Sequence, residues 1–248
     1  MRLIPADFER RIALPGVSEP VQRPVDIDRS VTGFAQLRSF RVYCFDAGTA
    51  IDGHAEEDEV FLILLSGTIR LKLGATEGET STALPVALRA PKRSAREGVS
   101  CAVYLPPGGA YFLEATSDAV VAYARATPSF SGAMPKVFTA PPIQGHAAIE
   151  SVFADQNYAE RLQVRLYSLR TEAEDVAFSP GEDAGGDFEA LLQVYSAQER
   201  ALLHVGSAGQ GDFSKLASFD SVAFRSAERP RVHLVSGVDA FLLLVLAK

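Results

Sequence analysis

The sequence has few cysteines and histidines, no long apolar run and no excess of basic residues. Its 248 residues include two cysteines and four histidines, and the net charge is −7. The negative charge argues against nucleic acid or an anionic membrane as the main partner, because both attract a basic surface. The longest apolar run, Phe241 to Ala247, is far shorter than the roughly 20 residues that span a bilayer. We therefore expect neither a nucleic-acid partner nor a membrane partner.

The two cysteines, Cys44 and Cys101, lie in apolar, strand-like runs without CxxC or Cys/His spacing. This pattern is typical of buried free thiols in a reducing compartment and argues against a zinc or redox site. The first residues carry charge where a secretory signal would need its apolar segment. The sequence therefore predicts a cytoplasmic location.

An internal repeat divides the chain into two halves. The run that begins at Asp118 closes the first half, and a similar run that begins at Asp239 closes the second, 239 − 118 = 121 positions later. Near the start of each half, the run from Arg41 parallels the run from Leu162, again 162 − 41 = 121 positions apart. A repeat of this length indicates two copies of a whole domain. We predict domains at 1–127 and 147–248, joined by a Pro- and Gly-rich linker at 128–146.

The apolar residues of both halves form short runs that are separated by turn-forming residues. Phe40 to Phe45 in the first half and Ala240 to Leu246 in the second are examples. Many short runs rich in Val, Ile, Leu, Phe and Tyr at regular spacing predict strands of an antiparallel sandwich or barrel. The predicted fold class is therefore all-β, with one antiparallel barrel in each half.

Two stretches of the first half resemble the sequence signatures of cupins. The stretch from Gly53 to Gly67 places His54 and Glu59 before an apolar strand that ends at a glycine. The stretch from Val103 to Tyr111 is similar to the second signature, with Tyr111 near the place of a metal-binding histidine. Two such domains in tandem resemble the 5-deoxy-glucuronate isomerase family of inositol catabolism, and its relative, the hexosulose-uronate ketol-isomerase of pectin breakdown. The resemblance implies a bicupin, a tandem cupin with two antiparallel barrel or jelly-roll domains.

The same resemblance implies an enzyme of carbohydrate metabolism that isomerises a sugar acid between aldose and ketose forms. It further implies a homodimer and a divalent metal ion, Zn²⁺ or Mn²⁺, held in the second barrel by three histidines and one glutamate. The sequence departs from the family here. Residues 179–189 contain no histidine, and Arg229-Pro230 stands where the family has a His-Pro pair. Glu189 corresponds to the family's glutamate by its place before an apolar strand.

The candidate site residues of the second half follow from these positions. His204, His233 and Glu189 are the metal-ligand candidates, although a strand histidine more often finds a partner within the core. For substrate binding, Arg229 and Arg231 would favour an anionic sugar acid where the barrel opens, with a surface ion pair as the alternative. A further candidate is Tyr195, whose alternative role is core packing.

Two functions remain open from the sequence. The family resemblance favours a sugar-acid isomerase, whereas the missing histidine pair favours a metal-free bicupin that binds a small ligand or serves as a scaffold. The sequence alone does not indicate which residues would be catalytic.

Overall fold

The computed structural model describes residues 1–74, 84–91, 99–128, 134–141, 149–154, 158–169, 177–178, 186–196, 203–207, 213–228, 230–234 and 240–248. These residues are almost entirely β-strand, as the short alternating runs predict. The described part of the chain holds no helix that is long and apolar enough to cross a bilayer.

The elements follow one another along the chain with short turns between many of them. In chain order the strands are β1 (Arg2–Ile4), β2 (Arg11–Ile12), β3 (Val21–Asp28), β4 (Leu37–Phe45), β5 (Ala50–His54), β6 (Glu59–Ser66), β7 (Thr68–Gly74), β8 (Leu84–Arg89), β9 (Val99–Leu105), β10 (Ala110–Ala115), β11 (Ala119–Ala126), β12 (Lys136–Ala140), β13 (Ile149–Ala154), β14 (Leu162–Leu169), β15 (Ala177–Phe178), β16 (Glu189–Tyr195), β17 (Leu203–Ser207), β18 (Phe213–Leu216), β19 (Ser221–Arg225), β20 (Pro230–Leu234) and β21 (Ala240–Ala247). A one-turn helix, α1 (Arg29–Thr32), separates β3 from β4, and a 3₁₀ turn (Ser226–Glu228) follows β19.

The first barrel consists of two antiparallel sheets. The larger has the strand order β12-β9-β6-β11-β4-β3-β2, and the smaller has the order β5-β10-β7-β8. Strand β6 is apolar along nearly its whole length because both of its faces are buried. Val60, Leu62 and Leu64 belong to the core inside the barrel, whereas Phe61 and Ile63 belong to a second core on the opposite face.

The second barrel repeats this plan. Its larger sheet has the order β1-β19-β16-β21-β14-β13, and its smaller sheet has the order β15-β20-β17-β18. A separate core fills the inside of this barrel and includes Leu192, Val194, Phe224 and Leu244. The described strands therefore form two antiparallel barrels.

The structure confirms the internal repeat and corrects one of its two anchors. The closing strands β11 and β21 are offset by 240 − 119 = 121 positions, as the sequence indicates. In the opening strands, Arg41 is the register partner of Tyr123, and Arg165 is the partner of Leu244. Since 244 − 123 = 121 but 165 − 41 = 124, the structural counterpart of Arg41 is Arg165 and not Leu162. The difference of three positions is odd, so the sequence alignment assigned these side chains to the wrong faces of the strand.

The two larger sheets pack against each other through a core that both domains share. The first domain contributes Phe40, Val42, Phe61 and Ile63, and the second contributes residues such as those on β14, β16 and β21. From the second domain the buried members are Ala159, Leu162, Val164, Leu166, Leu191, Tyr195, Ala223, Leu243, Val245 and Ala247. Burial of apolar area on this scale is the main stabilising contribution to the contact between the domains.

Two short strands cross the predicted domain boundaries. Strand β1, near the N-terminus, pairs with β19 in the larger sheet of the second domain. Strand β12 lies within the predicted linker 128–146 and pairs with β9 of the first domain. The first domain therefore supplies an edge strand to the second, and the predicted linker supplies one to the first, in addition to the shared core.

Candidate functional site at the mouth of the first barrel

Tyrosine side chains close the inside of the first barrel. Tyr43, Tyr111 and Tyr123 are each at most 9% exposed and belong to the barrel core. The hydroxyl of Tyr111 donates a hydrogen bond to that of Tyr123 over 3.2 Å, and the rings of Tyr43 and Tyr123 pack edge to face. Burial raises the pKa of Tyr111 to about 12 and raises that of Tyr123 well above its usual value. The hydroxyls of Tyr111 and Tyr123 therefore stay neutral at physiological pH.

Tyr111 covers the start of the first cupin-like stretch. A Cβ atom placed on Gly53 would lie 2.1 Å from Cζ of Tyr111, so only glycine allows the ring this close. Next to it, His54 is exposed, and its Nδ1 accepts a hydrogen bond from the N–H of Glu56 at 2.7 Å. The residue that would supply a metal-binding imidazole thus caps a surface turn instead.

A charged cleft lies outside the tyrosine layer, at the end of the barrel formed by the β5–β6 turn, and we call this end the mouth. Arg41 lies two residues before Tyr43, and Arg125 lies two residues after Tyr123, a spacing that keeps strand side chains on one face. The cleft encloses about 710 Å³. Its lining residues are Asp28, Arg29, Ser30, Arg38, Ser39, Arg41, Glu56, Glu57, Arg125 and Thr127.

A buried aspartate organises the floor of this cleft. The side chain of Asp58 is fully buried, and its Oδ1 accepts hydrogen bonds from Nη1 of Arg38 at 3.0 Å and from Oγ1 of Thr127 at 2.8 Å. Its Oδ2 lies 3.1 Å from Nε of Arg125. Nearby, Asp26 forms a second ion pair, with Oδ1 3.1 Å from Nε of Arg41. Charge-assisted contacts of this kind fix the guanidinium groups before any ligand arrives.

The rim of the cleft is formed by the start of helix α1 on one side and by the β5–β6 turn on the other. Asp28 caps α1 by accepting hydrogen bonds from the N–H groups of Ser30 and Val31, and the hydrogen bond from the hydroxyl of Ser30 contributes most to lowering the pKa of Asp28. On the other side, the exposed Glu57 accepts a hydrogen bond from Arg38, and Glu56 accepts one from Arg125. Both polar walls therefore present donors and acceptors to the cleft.

Glu59, the glutamate of the first cupin-like stretch, faces away from the barrel interior. Its carboxylate accepts hydrogen bonds from the N–H groups of Glu160, Arg161 and Leu162 at 3.0, 2.7 and 2.6 Å. These groups lead into β14 of the second domain. Burial raises the pKa of Glu59 more than the three amides lower it. Glu59 therefore joins the domains and does not line the first barrel.

Glu189 makes the reciprocal contact. It begins β16 of the second domain, and its carboxylate accepts hydrogen bonds from the N–H groups of Ala35, Gln36 and Leu37 at 2.6, 2.7 and 3.0 Å. These groups lead into β4 of the first domain. Both carboxylate oxygens of this predicted metal ligand are thus engaged with backbone of the other domain.

The remaining predicted site residues are spread over the second domain. Tyr195 is buried in the core between the domains, where its ring packs edge to face on Phe219 at 5.4 Å. Arg231 is exposed, and Arg229 lies outside the described residues. His204 is half-buried, and its register partner across β17 and β20 is His233. The structure therefore brings the two histidines side by side in the backbone but places Tyr195 and Glu189 elsewhere.

The described residues form no metal site in the first barrel, and those of the second barrel do not complete the site that the family resemblance implies. Within the described ranges, no group of three or more His, Cys, Asp or Glu side chains is arranged to hold a metal ion. In the first barrel the tyrosines fill the interior, while His54 and Glu59 are turned away from it. The predicted ligand set of His204, His233 and Glu189 remains a prediction, because the side chain of His233 is not among those that the structure describes.

Known structures share this architecture, although the sequence alone reveals no relative. No protein-family model matches the sequence, and neither does any curated protein. An IolB-like protein from Salmonella typhimurium LT2 superimposes with a TM-score of 0.65 over 93% of this chain and 90% of its own, at 17% identity.

Two other solved structures extend the comparison. The bacterial pirin YhhW from Escherichia coli, in complex with nickel(II), has a TM-score of 0.62 at 12% identity and covers 99% of both chains. The oxalate decarboxylase of Lactobacillus farciminis, in a formate complex, has a TM-score of 0.59 at 11% identity over 93% of this chain and 82% of its own. At such identities a structural likeness establishes the fold and not the activity. The chain therefore has a bicupin fold, similar to that of the IolB-like protein.

Proposed function

We propose that this bicupin binds a small polar molecule, rich in hydroxyl groups or carrying a carboxylate, at the mouth of its first barrel, without a metal ion in that barrel. The observation that supports the proposal is the charged cleft, in which the fully buried Asp58 holds Arg38 and Arg125 in place. The interior of the first barrel is filled by apolar side chains and tyrosines, whereas a ligand in this outer cleft would meet fixed polar groups.

The size and chemistry of the cleft suit a sugar or a sugar acid. A volume of about 710 Å³ lies within the range of small-molecule sites. Guanidinium groups donate hydrogen bonds in a planar fork that matches a carboxylate, and carboxylates accept hydrogen bonds from hydroxyl groups. The cleft contains both kinds of group within one polar surface, with Arg41 paired to Asp26 and Arg38 paired to Asp58.

Preorganisation strengthens the argument. Binding normally requires side chains to lose rotamer freedom, which lowers affinity. Here the three contacts to Asp58 already restrict Arg38, Arg125 and Thr127. A ligand that contacts these groups therefore meets side chains that are already ordered.

The test is a binding measurement with D-glucuronate and D-glucose on protein treated with a chelator. Saturation-transfer NMR and isothermal titration should detect binding that is unchanged by the chelator. Arg38→Gln and Arg125→Gln should each weaken binding at least severalfold, whereas Arg70→Gln should not, because Arg70 is 70% exposed and pairs with Glu114 away from the cleft. Absence of binding to the wild type, or binding indifferent to both cleft substitutions, would contradict the proposal.

A second candidate function is the isomerisation of a uronate between its aldose and ketose forms. The likeness to the IolB-like protein over 93% of the chain supports it. Such a reaction moves a proton between adjacent carbons and needs no external oxidant. Proton NMR of a uronate incubated with the protein would reveal the ketose product, and elemental analysis would detect a tightly held divalent metal. Product formation, together with a melting temperature raised by Zn²⁺ or Mn²⁺, would favour this candidate over metal-free binding.

A further inference from the structure

Two exposed glutamates form ion pairs with two cleft arginines on the solvent side, from which a ligand would approach. Oε1 of Glu57 lies 2.5 Å from Nη1 of Arg38, and Oε2 of Glu56 lies 3.1 Å from Nη2 of Arg125. The glutamate side chains are 70% and 63% exposed, whereas Asp58, which contacts the same two arginines, is 0% exposed. Each arginine is therefore held by one buried carboxylate and one carboxylate open to solvent.

We propose that Glu56 and Glu57 are internal competitors that determine the specificity of the cleft. In this proposal, which rests on the proposed function, a carboxylate on the incoming ligand replaces Glu57 on Arg38, or Glu56 on Arg125. Asp58 stays in place beneath them and keeps both guanidinium groups oriented. No covalent bond is made or broken, because the exchange replaces one ion pair by another.

The difference in burial decides which carboxylate can leave. An exposed ion pair contributes little net stability, because water solvates both partners well after separation. Separating a buried carboxylate from its partners leaves an uncompensated charge in a poorly solvated place and is strongly unfavourable. Glu57 is therefore replaceable at small cost, whereas Asp58 is not.

The backbone of the turn is fixed, so that only the glutamate side chains need to move. Glu56 has a left-handed φ of 56°, which is uncommon for a residue other than glycine. Hydrogen bonds on three sides hold it: from its own N–H to Nδ1 of His54, from the N–H of Gly108 to its carbonyl, and from Nη2 of Arg125 to the carbonyl of Ala55. A strained conformation persists where its surroundings fix it, and such places are enriched in functional sites.

The arrangement has a consequence for selectivity. A ligand with a carboxylate gains ion pairs with the arginines but must displace the glutamates that already make them. A neutral polyol displaces no charge and uses the donors and acceptors that remain. The preference of the cleft for anionic over neutral ligands should therefore be weaker than the charge of its arginines alone would predict.

The experiment compares the affinities of the wild type, Glu57→Gln and the double variant Glu56→Gln/Glu57→Gln for D-glucuronate and for D-glucose. Glu57→Gln should raise the affinity for glucuronate about two- to fivefold, the range that an exposed ion pair allows. The double variant should raise it further, and the affinity for glucose should stay within about twofold. Asp52→Asn is the charge-matched control, because Asp52 is exposed on β5 and does not line the cleft.

The outcomes separate the two proposals. If glucuronate binds the wild type but Glu57→Gln gains no more affinity than Asp52→Asn, the competitor role is wrong while the binding site stands. An equal gain for glucose would also overturn the competitor role, because it would not depend on the ligand's charge. If neither sugar binds any of the proteins, the proposed function fails and the competitor role with it. Melting temperatures near that of the wild type would show that the exposed substitutions leave the fold intact.

Discussion

Replacing Glu189 by alanine should lower the free energy of unfolding by about 3–5 kcal/mol. The substitution removes the acceptor of three N–H groups, those of Ala35, Gln36 and Leu37. Leaving a buried donor unsatisfied costs about 1–3 kcal/mol, and bonds to a charged acceptor lie at the upper end. The bond from Leu37 is buried, whereas those from the other two are partly buried, so that water can offset some of their loss. The expected total loss in the free energy of unfolding is therefore smaller than three times the upper value for one unsatisfied donor.

Thermal and urea unfolding, followed by circular dichroism, measure this loss. For a chain of this size each kcal/mol shifts the melting temperature by about 2–4 °C, so the expected shift is on the order of 10 °C. Glu189→Gln keeps one acceptor oxygen and should lose less. The control is Glu114→Ala, because Glu114 is 42% exposed and lies 3.7 Å from an exposed arginine, which predicts a change within about 0.5 kcal/mol. A Glu189→Ala protein within about 1 kcal/mol of this control would refute the contribution assigned to the three amides.

Two further predictions concern cysteine reactivity and a tight turn. Burial raises the pKa of Cys44 to about 11 and that of Cys101 to about 12, so the reactive thiolate is about one part in a thousand or less at pH 8. Both thiols should resist iodoacetamide in the folded protein and react after unfolding in urea, and rapid labelling of the folded protein would contradict this. Gly67 has a φ of +82°, and a Cβ there would lie 2.1 Å from the carbonyl oxygen of Asp118. Gly67→Ala should therefore cost about 2 kcal/mol or more, unlike Gly74→Ala, where a Cβ would meet nothing within 4 Å; equal urea midpoints for the two variants would be inconsistent with this reasoning.

The fold class could be predicted from the sequence because it depends on local patterns. Short apolar runs of period two and turn-forming residues between them indicate antiparallel strands, and the run from Ala240 to Leu246 is found as β21 with one additional residue. Strand register depends on cross-strand partners and is not encoded locally. For this reason the sequence repeat predicts the offset of the closing strands correctly, whereas it pairs Arg41 with Leu162, whose side chain lies on the opposite face of its strand.

The described site could not be predicted in the same way. Arg41 and Arg125 are 125 − 41 = 84 positions apart and approach each other only because β4 pairs with β11. The first cupin-like stretch favours His54 and Glu59 as site residues, but His54 caps a turn and Glu59 faces the second domain. Asp58, the residue next to Glu59, points to the mouth because neighbouring positions project to opposite sides. The sequence contains Asp58 beside Glu59, but only the direction of its side chain in the structure shows that Asp58 belongs to the cleft.

Strand β1 has a consequence for how this protein is made. Arg2 pairs in register with Ala223, which is translated 223 − 2 = 221 residues later. At about 5–20 residues per second, the ribosome takes roughly 10 to 45 s to cover that distance. During this time β1 lacks its partner strand β19, although the first barrel can already collapse around its tyrosines. The larger sheet of the second domain can therefore be completed only after Ala223 has been synthesised, by a strand that was made 221 residues earlier.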